Sequence, residues 1–194
     1  LRVEITPLNN TRAARDEVVV QLGNPNTPWL AARYLREERQ GQMQVMRGAV
    51  GINTRTPGLP ATGVLADIQL NTLQTDVWSS LLDAAPAGGN SPWAPTSLAL
   101  QARQIQASGH TFNQVQMRAN RVRTQWDVQV QSQEVLGRIN WTPGTDRLPG
   151  RVQARLTKLH LQAGAGDEIR NLIRQDPINV PAIDVVALSL IHIS

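Results

Sequence analysis

The chain has 194 residues, of which 41% are hydrophobic and 18% charged, and it contains no cysteine. This length allows one or two domains with a real core, and the lack of cysteine excludes disulfides, thiolate nucleophiles and Cys-based zinc sites. The formal net charge of +4 is too small to indicate nucleic-acid binding by itself. No apolar run reaches the roughly 18 residues of a spanning helix, and the first residues lack the features of a signal peptide. The opening Leu-Arg-Val-Glu-Ile resembles the middle of a strand, so we expect a fragment of a longer protein.

Alternation of apolar and polar residues is the dominant pattern, and it predicts half-buried strands. The predicted apolar faces are, in chain order, Leu1, Val3 and Ile5; Val18, Val20 and Leu22; Val64, Ala66, Ile68 and Leu70; Trp126, Val128 and Val130; Val135, Gly137, Ile139 and Trp141; Val152, Ala154 and Leu156; and the strand at 183–186. Residues 29–39 have helical propensity, but they lie between a turn and the strand that begins near Met43. We therefore expect a hairpin arm that ends at Gly41.

Three strands change the phase of their alternation. The jumps fall near Thr157 and Lys158, between Ala102 and Ile105, and between Val45 and Gly48. A one-residue jump is the mark of a β-bulge, and bulges bend and twist a sheet. The predicted fold is mainly β, an extended curved antiparallel sheet that forms a groove, with two short helices.

The two helices are predicted at 77–82 and 169–174, from capping residues before them and proline or glycine after them. A stretch rich in proline and glycine, from Pro86 to Pro95, is the best candidate for a linker. The predicted sections are therefore 1–86 and 96–187. Residues 188–194 have neither turn nor cap, and we expect a non-native tail there; an ordinary terminal strand is the alternative.

Catalytic and metal-binding patterns are absent from the sequence. His110, His160 and His192 have no partner at the spacing of metal ligands, and no nucleophile or phosphate-loop motif occurs. We therefore expect no enzyme, no cofactor and no metal site.

The basic residues are almost all arginine, with Lys158 the only lysine. Arginine suits bidentate phosphate contacts, so a phosphate-binding surface and plain solvated strand faces are both open interpretations. The densest cluster is Arg118, Arg121 and Arg123, with Trp126 nearby. Because Trp126 alternates with Val128, it belongs to the apolar face, so we expect no nucleic acid.

Five motifs occur in a fixed order between residues 45 and 186. Residues 45–51 are similar to R-G-A-[VI]-[GA], and 70–82 to L-D-x-D-x-W-x-x-L-L, with asparagine and insertions where the acids usually fall. Residues 126–143 are similar to W-x-x-x-x-x-S…G-x-[VIL]-x-W-x-P, 150–161 to G-R-V-x-A-R-L-x-x-L-x-L, and 180–185 to [VI]-P-A-[LI]-D-[IV]. Together they resemble the central-to-late region of the AsmA-like, TamB-related envelope proteins of the YhdP type.

The resemblance implies a function as well as a fold. Such proteins cross the periplasm, are anchored in the inner membrane by a helix outside this chain, and are implicated in moving phospholipid toward the outer membrane. It implies phospholipid as the ligand and leaves protein partners open. A closed structural scaffold of the envelope is the alternative. Candidates for the lipid groove are Val64, Ile68, Leu70, Trp126, Val128, Val130, Ile139, Trp141, Val152, Ala154 and Leu156.

Overall fold

Nearly all of the regular structure among the described residues is β-strand. The computed structural model describes residues 1–8, 14–24, 26–55, 57–75, 91–107, 109–144, 150–160 and, for the backbone alone, 182–187. The strands are β1 (Arg2–Leu8), β2 (Arg15–Asn24), β3 (Thr27–Arg39), β4 (Gln42–Ile52), β5 (Gly63–Gln74), β6 (Ser97–Ala107), β7 (His110–Val122), β8 (Gln125–Gln131), β9 (Val135–Thr142), β10 (Arg151–Leu159) and β11 (Ala182–Ala187). They follow one another through the sheet in chain order. The predicted mainly β fold is confirmed, and the two predicted helices lie outside the described residues.

The chain divides into two compact units. The first comprises Leu1–Leu70 and Leu81–Leu100, and the second comprises Asn71–Ser80 and Gln101–Ser194. The section boundaries expected at 86 and 96, and the separate tail at 188–194, stay predictions.

The ambiguous segment 29–39 is a strand, as expected. It forms most of β3, which turns into β4 at Gln40 and Gly41 with φ of 55° and 77°. Two successive residues with positive φ are typical of the type I′ turn, whose twist matches that of the strands it joins. The turn chemistry therefore overrides the helical propensity of the preceding residues.

Strand direction is mostly but not wholly antiparallel. The pairs β1–β2, β2–β3, β3–β4, β7–β8, β8–β9 and β9–β10 are antiparallel. The pairs β4–β5 and β10–β11 are parallel, which the sequence did not predict. Parallel neighbours need a crossover connection rather than a tight turn, and residues 53–62 provide one between β4 and β5. That loop lies against the sheet, since a Cβ at Gly51 would come within 3.1 Å of Pro57.

Two of the three predicted bulges coincide with shifts of register. The β9–β10 register shifts between Leu156 and Lys158. In the β3–β4 pair, Leu35 lies opposite Arg47 and Arg36 lies opposite Val45, so Met46 is the extra residue on β4. In β6 the buried positions change from Leu100 and Ala102 to Ile105, which confirms the change of phase. A further shift beside Gly23 was not predicted.

The core of the first unit is small. Val18, Tyr34, Gly48 and Val64 lie directly opposite one another across β2 to β5. Gly48 leaves room for the tyrosine ring, because a Cβ there would lie 2.6 Å from Tyr34 Cε1. Val18, Ala32, Tyr34 and Val64 form the buried cluster, called the closed core below.

Candidate functional site

Three neighbouring strands of the second unit carry an unbroken apolar surface. Trp126 lies opposite Trp141, which lies opposite Val152. The next two rows have the same arrangement across β8, β9 and β10, so nine residues form a lattice on one face. We call it the apolar wall: Trp126, Val128, Val130, Gly137, Ile139, Trp141, Val152, Ala154 and Leu156.

Burial varies across the apolar wall. Ala154 and Leu156 on β10 are each 7% exposed, whereas Trp141 is 43% exposed and Ile139 is half-buried. With strands about 4.8 Å apart and residues about 3.4 Å apart, the wall extends about 10 Å by 14 Å. It is a partly open apolar surface of the size that can hold part of an acyl chain.

The register thus brings together eight of the predicted groove residues. The other three lie on β5: Ile68 and Leu70 are half-buried, and Val64 is 1% exposed in the closed core. Val64 therefore presents no surface to a ligand in this structure. The groove role of all these residues stays a prediction.

Trp93 closes over the core of the first unit. Its ring meets Tyr34 edge to face with centroids 4.8 Å apart, and the Arg36 guanidinium lies 5.9 Å from the Trp93 ring centroid. The Tyr34 hydroxyl also donates to the Trp93 carbonyl at 3.5 Å. Burial raises the pKa of Tyr34. The segment that precedes β6 thus covers the same face that supplies Val64.

An ion pair lies at one end of this face. Asp16 and Arg36 are directly opposite on β2 and β3, and the guanidinium donates to both carboxylate oxygens, at 2.8 and 2.5 Å. The hydrogen bond to Asp16 raises the pKa of Arg36. The sequence analysis missed this pair, although Asp16 and Arg36 share the alternation phase of Val18 and Tyr34.

Further ion pairs lie on the opposite face of the first unit. Arg15 donates to Glu37 at 2.6 Å and Arg39 donates to it at 3.1 Å, and these hydrogen bonds lower the pKa of Glu37. Arg33 pairs with Glu17.

A polar network fixes the turn from β8 to β9. Glu134 accepts hydrogen bonds from the backbone and side chain of Asn113, at 2.7 and 2.8 Å, and from the Ser132 hydroxyl at 3.2 Å. Burial would raise the pKa of Glu134, but these bonds outweigh it and the pKa is lowered. The network therefore fixes the connection between β8 and β9, two of the three strands of the apolar wall.

The basic cluster of the sequence is divided by the sheet. Arg121 lies over Trp126 at 5.9 Å on the face of the apolar wall, Arg118 is on the other face, and Arg123 is in the turn between β7 and β8. The three arginines do not form one surface.

A model of the YhdP protein family matches residues 1–191. The chain belongs to the YhdP family of bacterial envelope proteins. The resemblance drawn from the five motifs is thereby confirmed, and the match extends it to the first 44 residues. No match was found among curated proteins or among solved structures.

The described residues contain neither a membrane-spanning helix nor a cluster of metal ligands. No helix there is long and apolar enough to cross a membrane. No group of three or more His, Asp or Glu side chains there is placed to hold a metal ion.

Proposed function

We propose that the chain is a segment of a lipid-transfer protein, which shields phospholipid acyl chains between the inner and outer membranes. The observation that carries the proposal is the apolar wall, a continuous one-sided surface on β8, β9 and β10. Family membership supports the envelope setting. We further propose a periplasmic location, with an inner-membrane anchor outside this chain.

The wall suits passive transfer rather than tight binding. Each methylene removed from water contributes about 0.8 kcal/mol, so an acyl chain gains by lying on the wall. The gain is similar at neighbouring positions because the surface is uniformly apolar. A chain can therefore slide without a strong trap, and the proposed role needs no catalytic group, cofactor or nucleic acid.

The test measures phospholipid that co-purifies with the 194-residue chain after expression in a bacterial periplasm and isolation without detergent. We expect retained phospholipid in proportion to protein. Ile139→Glu should abolish retention because it places a charge in the centre of the wall. Trp141→Glu should do the same at lower risk to folding, since Trp141 is 43% exposed.

Gln125→Glu is the matched control. Gln125 is exposed on β8 beside Trp126 but faces away from the wall, so the same charge there should leave lipid retention unchanged. Circular dichroism must show that all variants are folded. A folded chain free of lipid, or equal retention in the wall variants and the control, would contradict the proposal.

A structural scaffold of the envelope is the second candidate. It is favoured by the first unit, where Trp93 and Tyr34 cover the core and Val64 is 1% exposed. A scaffold needs no open apolar surface, so a lipid-free and folded chain is the result it predicts.

A further inference from the structure

The polar face of β7 to β10 carries a row of arginines. Arg118 lies opposite Gln129, Gln129 opposite Arg138, and Arg138 opposite Arg155. We call these four residues the arginine row. All four are exposed, and they lie on the face opposite the apolar wall because successive residues of a strand alternate between faces.

The arginine row brings like charges together. Directly opposite residues of antiparallel strands have Cα atoms about 4.5–5.5 Å apart, and like charges in that position destabilise a sheet. Within the described part of the chain, Arg118, Arg138 and Arg155 have no ion pair, whereas Arg15, Arg33, Arg36 and Arg39 of the first unit all have one. An anion placed between Arg138 and Arg155 would offset their repulsion.

The row lies in a shallow trough of about 770 Å³ whose other polar groups can donate hydrogen bonds. The amides of Gln116, Gln131 and Asn140 line it, together with the Thr157 hydroxyl. Asp127 also lines it, one alternation step along β8 from Gln129, and its carboxylate opposes anion binding. Three guanidinium groups against one carboxylate leave an excess of positive charge.

We propose that the arginine row binds a phosphoryl group. Guanidinium matches phosphate oxygens in a bidentate manner, and the spacing of Arg138 and Arg155 allows both to bind one group. Arg118 lies about 10 Å from Arg138, two strand spacings away, so it can bind a second phosphoryl group or a diphosphate end. The site does not depend on the apolar wall, which is on the other face.

The test uses the full chain and two kinds of probe. Soluble pyrophosphate is titrated by calorimetry, and vesicles of phosphatidylglycerol are compared with phosphatidylcholine by flotation. If pyrophosphate reduces binding of the chain to the vesicles, the site recognises phosphoryl groups in general. Binding to phosphatidylglycerol vesicles that pyrophosphate does not reduce assigns it to lipid headgroups on a surface.

Four variants decide whether the arginine row is responsible. Arg138→Gln with Arg155→Gln should weaken binding at least tenfold. Arg138→Lys should weaken it severalfold, because lysine keeps the charge and loses the bidentate geometry. Asp127→Asn should strengthen binding, and Arg123→Gln, in the exposed turn outside the row, should leave it unchanged.

The proposal is overturned if neither probe binds, or if Arg123→Gln weakens binding as much as the double variant does. It is also overturned if Asp127→Asn leaves the affinity for pyrophosphate and for phosphatidylglycerol vesicles unchanged, since removal of a carboxylate from the trough should favour an anion. A single-stranded oligonucleotide that binds more tightly than both probes would replace it with a nucleic-acid site.

Discussion

At the scale of the residue, Gly137 shows how closely two strands approach within the apolar wall. A Cβ on Gly137 would lie 2.8 Å from Leu156 Cα and 2.9 Å from Leu156 Cδ2. The same place carries the bulge of β10, where the register shifts between Leu156 and Lys158. A glycine within a strand commonly marks such an approach, and here the obstacle is backbone that cannot rotate away.

We therefore expect Gly137→Ala to lower the free energy of unfolding by about 1–3 kcal/mol, the usual cost of overpacking. Urea denaturation followed by tryptophan fluorescence measures it. Gly58→Ala is the control, since nothing lies within 4 Å of a Cβ there and a surface change costs within about 0.5 kcal/mol. An equal decrease in the free energy of unfolding of the two variants would show that the close approach of the strands at Gly137 does not exclude a larger side chain.

Single residues also show what alternation could and could not predict. Successive residues of a strand point to opposite faces of the sheet, so alternation alone predicts the face on which Trp126 and Ile139 lie. Alternation does not predict which residue of the neighbouring strand lies opposite, so the position of Arg138 opposite Arg155 emerged only from the register. Nor does it give what lies above a face, so the burial of Val64 in the closed core emerged only from the structure.

At the scale of the element, the segment before β6 behaves as a cover. Residues 91–96 contain one large apolar side chain, Trp93, which contacts Tyr34 and Arg36 at once. The Thr96 amide donates to the Val64 carbonyl at 2.8 Å, and the Thr96 hydroxyl accepts from the Val64 amide at 3.0 Å. These bonds hold the cover on the first strand residues of β5.

Trp93→Ala should lower the free energy of unfolding of the chain by about 1–2 kcal/mol. An aromatic pair contributes about 0.5–1.5 kcal/mol beyond burial, and an exposed cation–π contact about 0.5–1 kcal/mol. Urea denaturation followed by circular dichroism checks the value. Trp29→Ala removes a tryptophan that is 52% exposed and should cost clearly less. A loss no larger than that of Trp29→Ala would mean that the cover adds no stability.

The direction of neighbouring strands is the feature of the elements that the sequence pattern does not predict. Side chains point to opposite faces in turn along any strand, whatever the direction of its neighbour. Alternation therefore predicts β5 but not its parallel pairing with β4. The length of the connection contains the missing information. Residues 53–62 are too many for a tight hairpin, and a connection of this length is compatible with a crossover between parallel strands.

At the scale of the whole molecule, the ion pairs found among the described residues all lie in the first unit. In the first unit Arg15, Arg33 and Arg36 pair with acids on the neighbouring strand, and Arg39 pairs with Glu37 of its own strand. Within the described residues, the arginines of the arginine row have no such pair. The net charge of +4 therefore understates a local excess. The second unit therefore offers an apolar face and a basic face on the same strands, and the two proposals rest on opposite faces.

The end of the sheet gives the last prediction. Among the described residues β1 pairs with β2 alone, and Val3 and Ile5 of β1 and the preceding Leu1 are 55%, 57% and 85% exposed. An end strand with unpaired backbone groups and an apolar face is a template for association with another chain. We expect the isolated chain to associate with itself as its concentration rises, as measured by sedimentation velocity.

Val3→Lys should shift that association to higher concentration, because a charge on the exposed apolar face of β1 opposes edge-to-edge pairing. It should leave folding unchanged, since Val3 is exposed. Val122→Lys places the same charge at a position that is 67% exposed at the end of β7, inside the sheet order, and should associate as the unmodified chain does. If Val3→Lys associates equally, the contact lies elsewhere and β11, at the other end of the sheet, becomes the strand to change. A monomer at every concentration would mean that the exposed face of β1 is too small to hold a second copy.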